Sequence, residues 1–137
     1  MSFVPELSDF LGEWRISRLV EDRLSGQQGR FEGQAWFRPD GAFLKYREEG
    51  QLRLGGGPAM TAVRDYVWRQ DGNRIAVDYG DGRSFHDFNP ADPAARHHCE
   101  PDDYRVRYDF THWPEWRAEW TVTGPRKDYT MISRYSR

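Results

Sequence analysis

At 137 residues the chain suits one domain, spanning 1–137, with a real hydrophobic core, and its 15% aromatic content favours strands and lined pockets over disorder. A net charge of only -2 beside 31% charged residues describes a polar surface without the basic excess of a nucleic-acid binder. No apolar run approaches membrane-spanning length, the start shows no basic-then-apolar leader pattern, and the single cysteine, Cys99, excludes an internal disulfide, so a reducing cytoplasm is the expected setting.

Residues 5 to 11 predict one short helical turn, with Pro5 at its start and Phe10 and Leu11 as its apolar face. Gly12-Glu13-Trp14 opens a strand that places Trp14, Ile16, Arg18 and Val20 on one face. After a turn at Leu24 to Gly29, Arg30 to Arg38 alternates with Phe31, Gly33, Ala35 and Phe37 aligned. Pro39-Asp40-Gly41 predicts a tight turn, because proline fixes φ and glycine accepts positive φ. Ala42 to Glu49 returns with Leu44, Tyr46 and Glu48 aligned, and Leu52 and Leu54 read as a separate short strand before Gly55-Gly56-Gly57-Pro58. That glycine run lacks the Lys-Ser/Thr ending of a phosphate loop and reads as a loop at a barrel mouth.

Thr61 to Gln70 is a strand with Ala62, Arg64, Tyr66 and Trp68 on one side. Turns at Asp71-Gly72-Asn73 and Gly80-Asp81-Gly82 frame strands at Arg74 to Tyr79 and Arg83 to Phe88. Ala95 to Tyr104, which contains His97, His98, Cys99 and Asp102 between prolines, reads as a displayed loop with reactive side chains. Tyr104 to Phe110, Trp116 to Val122 and Tyr129 to Tyr135 alternate as three further strands. About eight to ten short antiparallel strands after one short helix predict an all-β, up-and-down β-barrel with room for one small ligand.

Gly12-Glu13-Trp14 after a short helix resembles the opening of the calycins, the lipocalin and fatty-acid-binding superfamily. The whole chain resembles a bacterial calycin-like family without assigned function, domain-of-unknown-function family 6314. The resemblance rests on Phe10 to Trp14, Asp81 to His86, His98 to Val106 and Gly124 to Tyr129. It implies a barrel whose floor is closed by Trp14, with an arginine near the last strand packed over it; Arg134 is the expected partner, through a cation–π contact. It implies fold more than activity, since this barrel hosts binders and enzymes alike.

The expected function is binding of a small molecule in the lumen, by a monomer or homodimer, with no nucleic-acid or membrane partner. The lining expected from strand alternation is aromatic and cationic. Arg18, Tyr46, Arg64, Tyr66 and Trp68 come from the first half of the chain, and His86, Tyr104, Tyr108, Trp120 and Tyr129 from the second; each of the two arginines is either inside as a counter-charge or outside, covered by stem packing. Arg126, in the last hairpin turn, is a candidate counter-charge. Such a lumen suits a flat, partly polar, anionic molecule. The alternative is an enzyme of the same fold, with His86, His98, Cys99 and Asp102 performing acid–base or hydrolytic chemistry. A third reading is a haem-binding barrel using one histidine. No metal and no other cofactor is expected, because the His and Cys spacing matches no standard zinc pattern and adjacent His98 and Cys99 would point apart on an extended chain.

Overall fold

A computed structural model describes residues 3–137. Ten strands follow one 3-10 turn (Leu7–Phe10): β1 (Gly12–Asp22), β2 (Gln28–Asp40), β3 (Phe43–Leu54), β4 (Met60–Asp71), β5 (Arg74–Tyr79), β6 (Ser84–Phe88), β7 (Ala94–Cys99), β8 (Asp102–His112), β9 (Glu115–Gly124) and β10 (Lys127–Ser136). All neighbours run antiparallel in one sheet, in the order β6-β5-β4-β3-β2-β1-β10-β9-β8-β7. Every ladder but one joins strands consecutive in sequence; the exception is β1 against β10, which closes first strand on last. The two ends of the sheet, β6 and β7, are spatial neighbours without a shared ladder, so the barrel is nearly closed.

Period-two alternation decides what faces inward. Trp14 and Ile16 of β1, Phe31, Ala35 and Phe37 of β2, and Leu44, Tyr46 and Glu48 of β3 are buried, while the residues between them are mostly exposed. The floor is a cluster of rings. Phe10 from the 3-10 turn contacts Phe37, Trp68, Phe110, Trp113 and Trp116, all with centroids between 5.1 and 5.7 Å. Trp14 is fully buried there and donates its indole N–H to the Phe10 carbonyl at 2.8 Å.

The cation over Trp14 is Arg137, not Arg134. Its guanidinium carbon lies 3.8 Å from the indole centroid, and its N–H groups donate to the carbonyls of Leu11 (2.8 Å) and Asp9 (3.0 Å). Strand register explains the correction. Arg134 pairs with Ser17, on the outward face of β1, whereas Arg15 pairs with Ser136, which brings the next residue along, Arg137, opposite Trp14.

Three further expectations shift. β2 continues through Pro39 and Asp40, so its hairpin turn is Gly41-Ala42, with Gly41 at φ 62°. β3 is one strand that absorbs Leu52 and Leu54; its midpoint Gly50 faces Gly33 across the ladder, where a side chain on either would strike the opposite backbone. Most consequentially, the segment read as a displayed loop is a hairpin: β7 pairs residue for residue with β8, from Ala94↔Arg107 to Cys99↔Asp102.

Candidate functional site

The strand order fixes a mouth and a floor. Loops at 23–27, 55–59, 80–83, 100–101 and 125–126 lie at the mouth; the 3-10 turn lies at the floor. Between them a cavity of about 220 Å³ is lined by ten of the residues expected from alternation: Arg18, Tyr46, Arg64, Tyr66, Trp68, His86, Tyr104, Tyr108, Trp120 and Tyr129. Arg126 does not join them. It occupies the exposed Pro125-Arg126 turn, because Gly124 and Lys127 already pair as the last rung of the β9–β10 ladder.

The polar base of the cavity is an ion pair held by side chains of three strands. Arg18 of β1 donates from Nη1 and Nη2 to the Glu48 carboxylate of β3 at 2.7 and 2.9 Å, and from Nε to the Ser133 hydroxyl of β10 at 2.7 Å. Tyr46 donates to Glu48 Oε1 at 2.7 Å and lies 2.9 Å from the Tyr135 hydroxyl. Since Glu48 can only accept, Tyr135 must donate to Tyr46, which makes a directed chain of hydroxyls ending on the carboxylate. Tyr135 is held flat on Trp116, centroids 3.8 Å apart and planes 1° from parallel. Burial pushes the Glu48 carboxyl up, but the hydrogen bonds and charge of Arg18 outweigh it and hold the group below the usual carboxylate range. Burial pushes the Tyr46 phenol well above its ordinary value, so it stays protonated.

His86 of β6 occupies the opposite wall. Its Nε2 lies 2.8 Å from the Tyr108 hydroxyl, and its Nδ1 is buried with no hydrogen-bond partner among the described residues. Phe85 and Trp120 stand edge-on to the imidazole at centroid distances of 4.6 and 5.0 Å. Desolvation in this ring cage lowers its pKa from 6.5 to about 3. Tyr104, the inward phenol of β8 nearest the mouth, is not the partner of this ring. β6 and β8 share no ladder, and the phenol within reach is Tyr108, two rungs deeper.

Toward the mouth, Tyr79, Phe85 and Trp120 form a stack, with Tyr79–Phe85 at 4.6 Å and Phe85–Trp120 at 5.1 Å. Arg64 is the ladder partner of Glu48, yet Glu48 is engaged by Arg18, and no carboxylate among the described residues lies within ion-pair distance of Arg64. Lys127 differs. It donates to the Tyr104 hydroxyl at 3.0 Å and pairs with Asp102 at 2.9 Å, and these contacts raise its pKa.

The residues considered for catalysis do not converge. His86 is inside the lumen, whereas His98 faces outward on β7, with Asp103 at 4.0 Å. Cys99 is exposed at the end of β7, and Asp102 is engaged with Lys127. The histidine that β7 turns inward is His97, whose ring meets Phe85 at 5.4 Å. Among the described residues, no group of three or more His, Cys, Asp or Glu could hold a metal ion, and no helix is long and apolar enough to cross a membrane.

Glu48, Ser133, Tyr135, Tyr79 and Phe85 line the cavity without having been expected there. Glu48 had a legible signal: an acid aligned with Leu44 and Tyr46 on an inward face requires a buried cation, and Arg18 and Arg64 were the candidates. Ser133 carried no such signal.

A family model described as a family of unknown function, DUF6314, matches residues 10–137. The chain belongs to this family. Among solved structures, the S-type phycobiliprotein lyase CPES from Guillardia theta is similar, with a TM-score of 0.64 at 12% sequence identity, over 100% of this chain and 93% of that one. At that identity the likeness shows the fold, a calycin-like barrel. No curated protein matches the sequence.

Proposed function

We propose that this family member is a small-molecule binding protein that holds a flat, partly polar, anionic ligand in its lumen, acting in the cytoplasm as a monomer or homodimer. The observation that supports this most is the cavity itself: about 220 Å³, walled by stacked rings and based on the Arg18–Glu48 ion pair. Its volume is below the ~300–1,000 Å³ of sites for drug-sized molecules, which favours a compact ligand and is too small for a haem or another large macrocycle. The charged lining residues are Arg18, Arg64 and Glu48, two cations against one anion, with Arg64, at the mouth, the cation that has no ion-pair partner among the described residues. That balance favours a ligand with an acidic group.

Binding is favoured over acid–base catalysis because the ionisable groups inside are fixed in one state. Glu48 is held ionised by Arg18, His86 is held neutral by burial, and Tyr46 and Tyr108 are held protonated. A catalytic acid or base works best with a pKa near the operating pH. The lyase with the same architecture also supports a small-molecule role for the barrel, though not a particular ligand.

Titration with anilinonaphthalene sulfonate, an aromatic anionic dye, tests the reading through quenching of tryptophan emission. One saturable site is expected. Trp120→Ala should weaken it by about tenfold, a loss of ~1.4 kcal/mol. Arg64→Gln should weaken it as well, and Arg126→Gln should leave it unchanged. Absence of saturable binding, or binding indifferent to both lumen variants, would sink the proposal.

A further inference from the structure

The polar groups that line the lumen can be sorted by which hydrogen-bonding positions the fold itself occupies. Glu48 accepts from Arg18 Nη1, Arg18 Nη2 and Tyr46, which fills three of its roughly four acceptor positions. Tyr46 and Tyr135 donate along the chain that ends on Glu48, so neither has a hydrogen left to give. Arg18 has three N–H groups engaged, and a guanidinium carries about five, which leaves about two. Ser133 accepts from Arg18 Nε, and its own O–H has no acceptor among the described residues.

His86 completes the set. If Tyr108 donates to Nε2, the imidazole carries its proton on Nδ1 and one buried donor is unpaired. If Nε2 donates instead, both the Nδ1 lone pair and the Tyr108 hydroxyl hydrogen go unpaired. The first arrangement leaves fewer buried groups unsatisfied and is the one assigned here by that count. An unpaired buried donor in a folded protein requires an explanation, and a bound acceptor is one.

The hydroxyls of Tyr66, Tyr79, Tyr104 and Tyr129 also line the lumen and can turn to donate or accept; apart from the last acceptor position of Glu48, the free positions of the groups sorted above are donors, and they stand on opposite walls. β6, with His86, is five steps from β1, with Arg18, in the ring order of strands, and Ser133 sits beside Arg18 on β10. We infer that the lumen selects its ligand by oxygen acceptors at both ends of a planar body: a carboxylate or similar oxyanion at one end, a carbonyl-type oxygen at the other, and no ammonium. This rests on the reading of the lumen as a ligand site and names the chemical class that the site takes. The carbonyl-type oxygen meets His86, whose Nδ1 is buried until a small tilt of the ring turns it to the lumen, and the oxyanion meets the Arg18–Ser133 side, with Arg64 adding field from the mouth.

Three matched probes test it by displacement of the sulfonate dye: naphthoate, a formylnaphthoate with its two groups at opposite ends of the rings, and naphthylmethylammonium. In the wild-type protein the ammonium should bind at least about tenfold more weakly than naphthoate, and the formyl group should tighten binding by about threefold, the scale of one neutral hydrogen bond. His86→Phe should abolish the formyl increment while retaining naphthoate binding, and Ser133→Ala should weaken both carboxylates. Thermal melts establish that each variant is folded, and the comparison of carboxylate with ammonium stands without any variant. An ammonium that binds as tightly as naphthoate overturns the inference, as does a formyl increment that survives in His86→Phe. So does dye binding with no binding of any naphthyl probe. If neither the dye nor a probe binds, the lumen is not a ligand site and the underlying reading falls with it.

Discussion

His86 and the Arg18–Glu48 pair are two buried polar arrangements with opposite solutions. The imidazole is kept neutral in a cage of rings; the ion pair is kept charged by mutual contact. For His86, the folded pKa of about 3 lies below the ~6.5 of an unfolded histidine. Above pH ~6.5 both states are neutral and its contribution to stability is complete. As pH falls, the unfolded chain takes up a proton that the fold refuses, and stability declines by up to ~1.4 kcal/mol per pH unit until folded His86 itself protonates. Urea denaturation between pH 6.5 and 5 should show this decline, and His86→Gln should remove that part of the slope; an unchanged slope would contradict the buried neutral ring. For the pair, Glu48→Gln leaves a guanidinium buried without its counter-charge and should cost about 3–5 kcal/mol. The apolar double variant Arg18→Met/Glu48→Leu should recover much of that loss, because two desolvation penalties disappear together. Equal stability of Glu48→Gln and wild type would mean that the pair is solvated.

At the level of elements, the closure between β1 and β10 and the β2–β3 ladder each depend on one local device. Arg137 ties the chain end to the floor through the Trp14 ring and two carbonyls of the 3-10 turn region. Trp14→Ala should cost about 3–5 kcal/mol, the range for buried tryptophan truncation. Arg137→Ala should cost about 1–2 kcal/mol through lost cation–π and hydrogen-bond contacts. Arg134→Ala, outward on β10, should fall within ~0.5 kcal/mol of wild type. A larger loss at Arg134 than at Arg137 would restore the arrangement expected from the family resemblance. In the β2–β3 ladder, Gly33 and Gly50 oppose each other so closely that a Cβ on Gly33 would meet the Glu49 carbonyl, and one on Gly50 the Glu32 carbonyl. Gly33→Ala should therefore cost about 1–3 kcal/mol as overpacking, even though alanine suits a strand better than glycine. A stabilised Gly33→Ala would show that the two strands do not approach this closely.

For the whole molecule, the seam between β6 and β7 is the weakest join, since every other neighbouring pair of strands is tied by a ladder. Side chains bridge it, with Phe85 of β6 against His97 of β7 at 5.4 Å. Backbone amides that point into the seam lack ladder partners, so β6 and β7 should exchange with solvent faster than β1, β9 and β10. Hydrogen-exchange mass spectrometry checks this, and uniform protection around the ring would mean that the seam is closed in solution.

The strand alternation and the turn residues were enough to define an all-β barrel and the inward run of its aromatic residues, because burial with period two is written locally into each strand, whereas the side taken by Arg18 and Arg64 was not legible there. Arg126 failed because a turn has no such period. What tertiary structure alone decided was which inward residues meet across the lumen. His86 finds Tyr108 and not Tyr104, Arg137 and not Arg134 covers Trp14, and Glu48 goes to Arg18 and not to its own ladder partner Arg64. The hairpin that turned the His97-His98-Cys99 segment from a displayed loop into an edge strand belongs with these. Each depends on register between strands, some of them distant in sequence, and a shift of one residue there exchanges inside for outside.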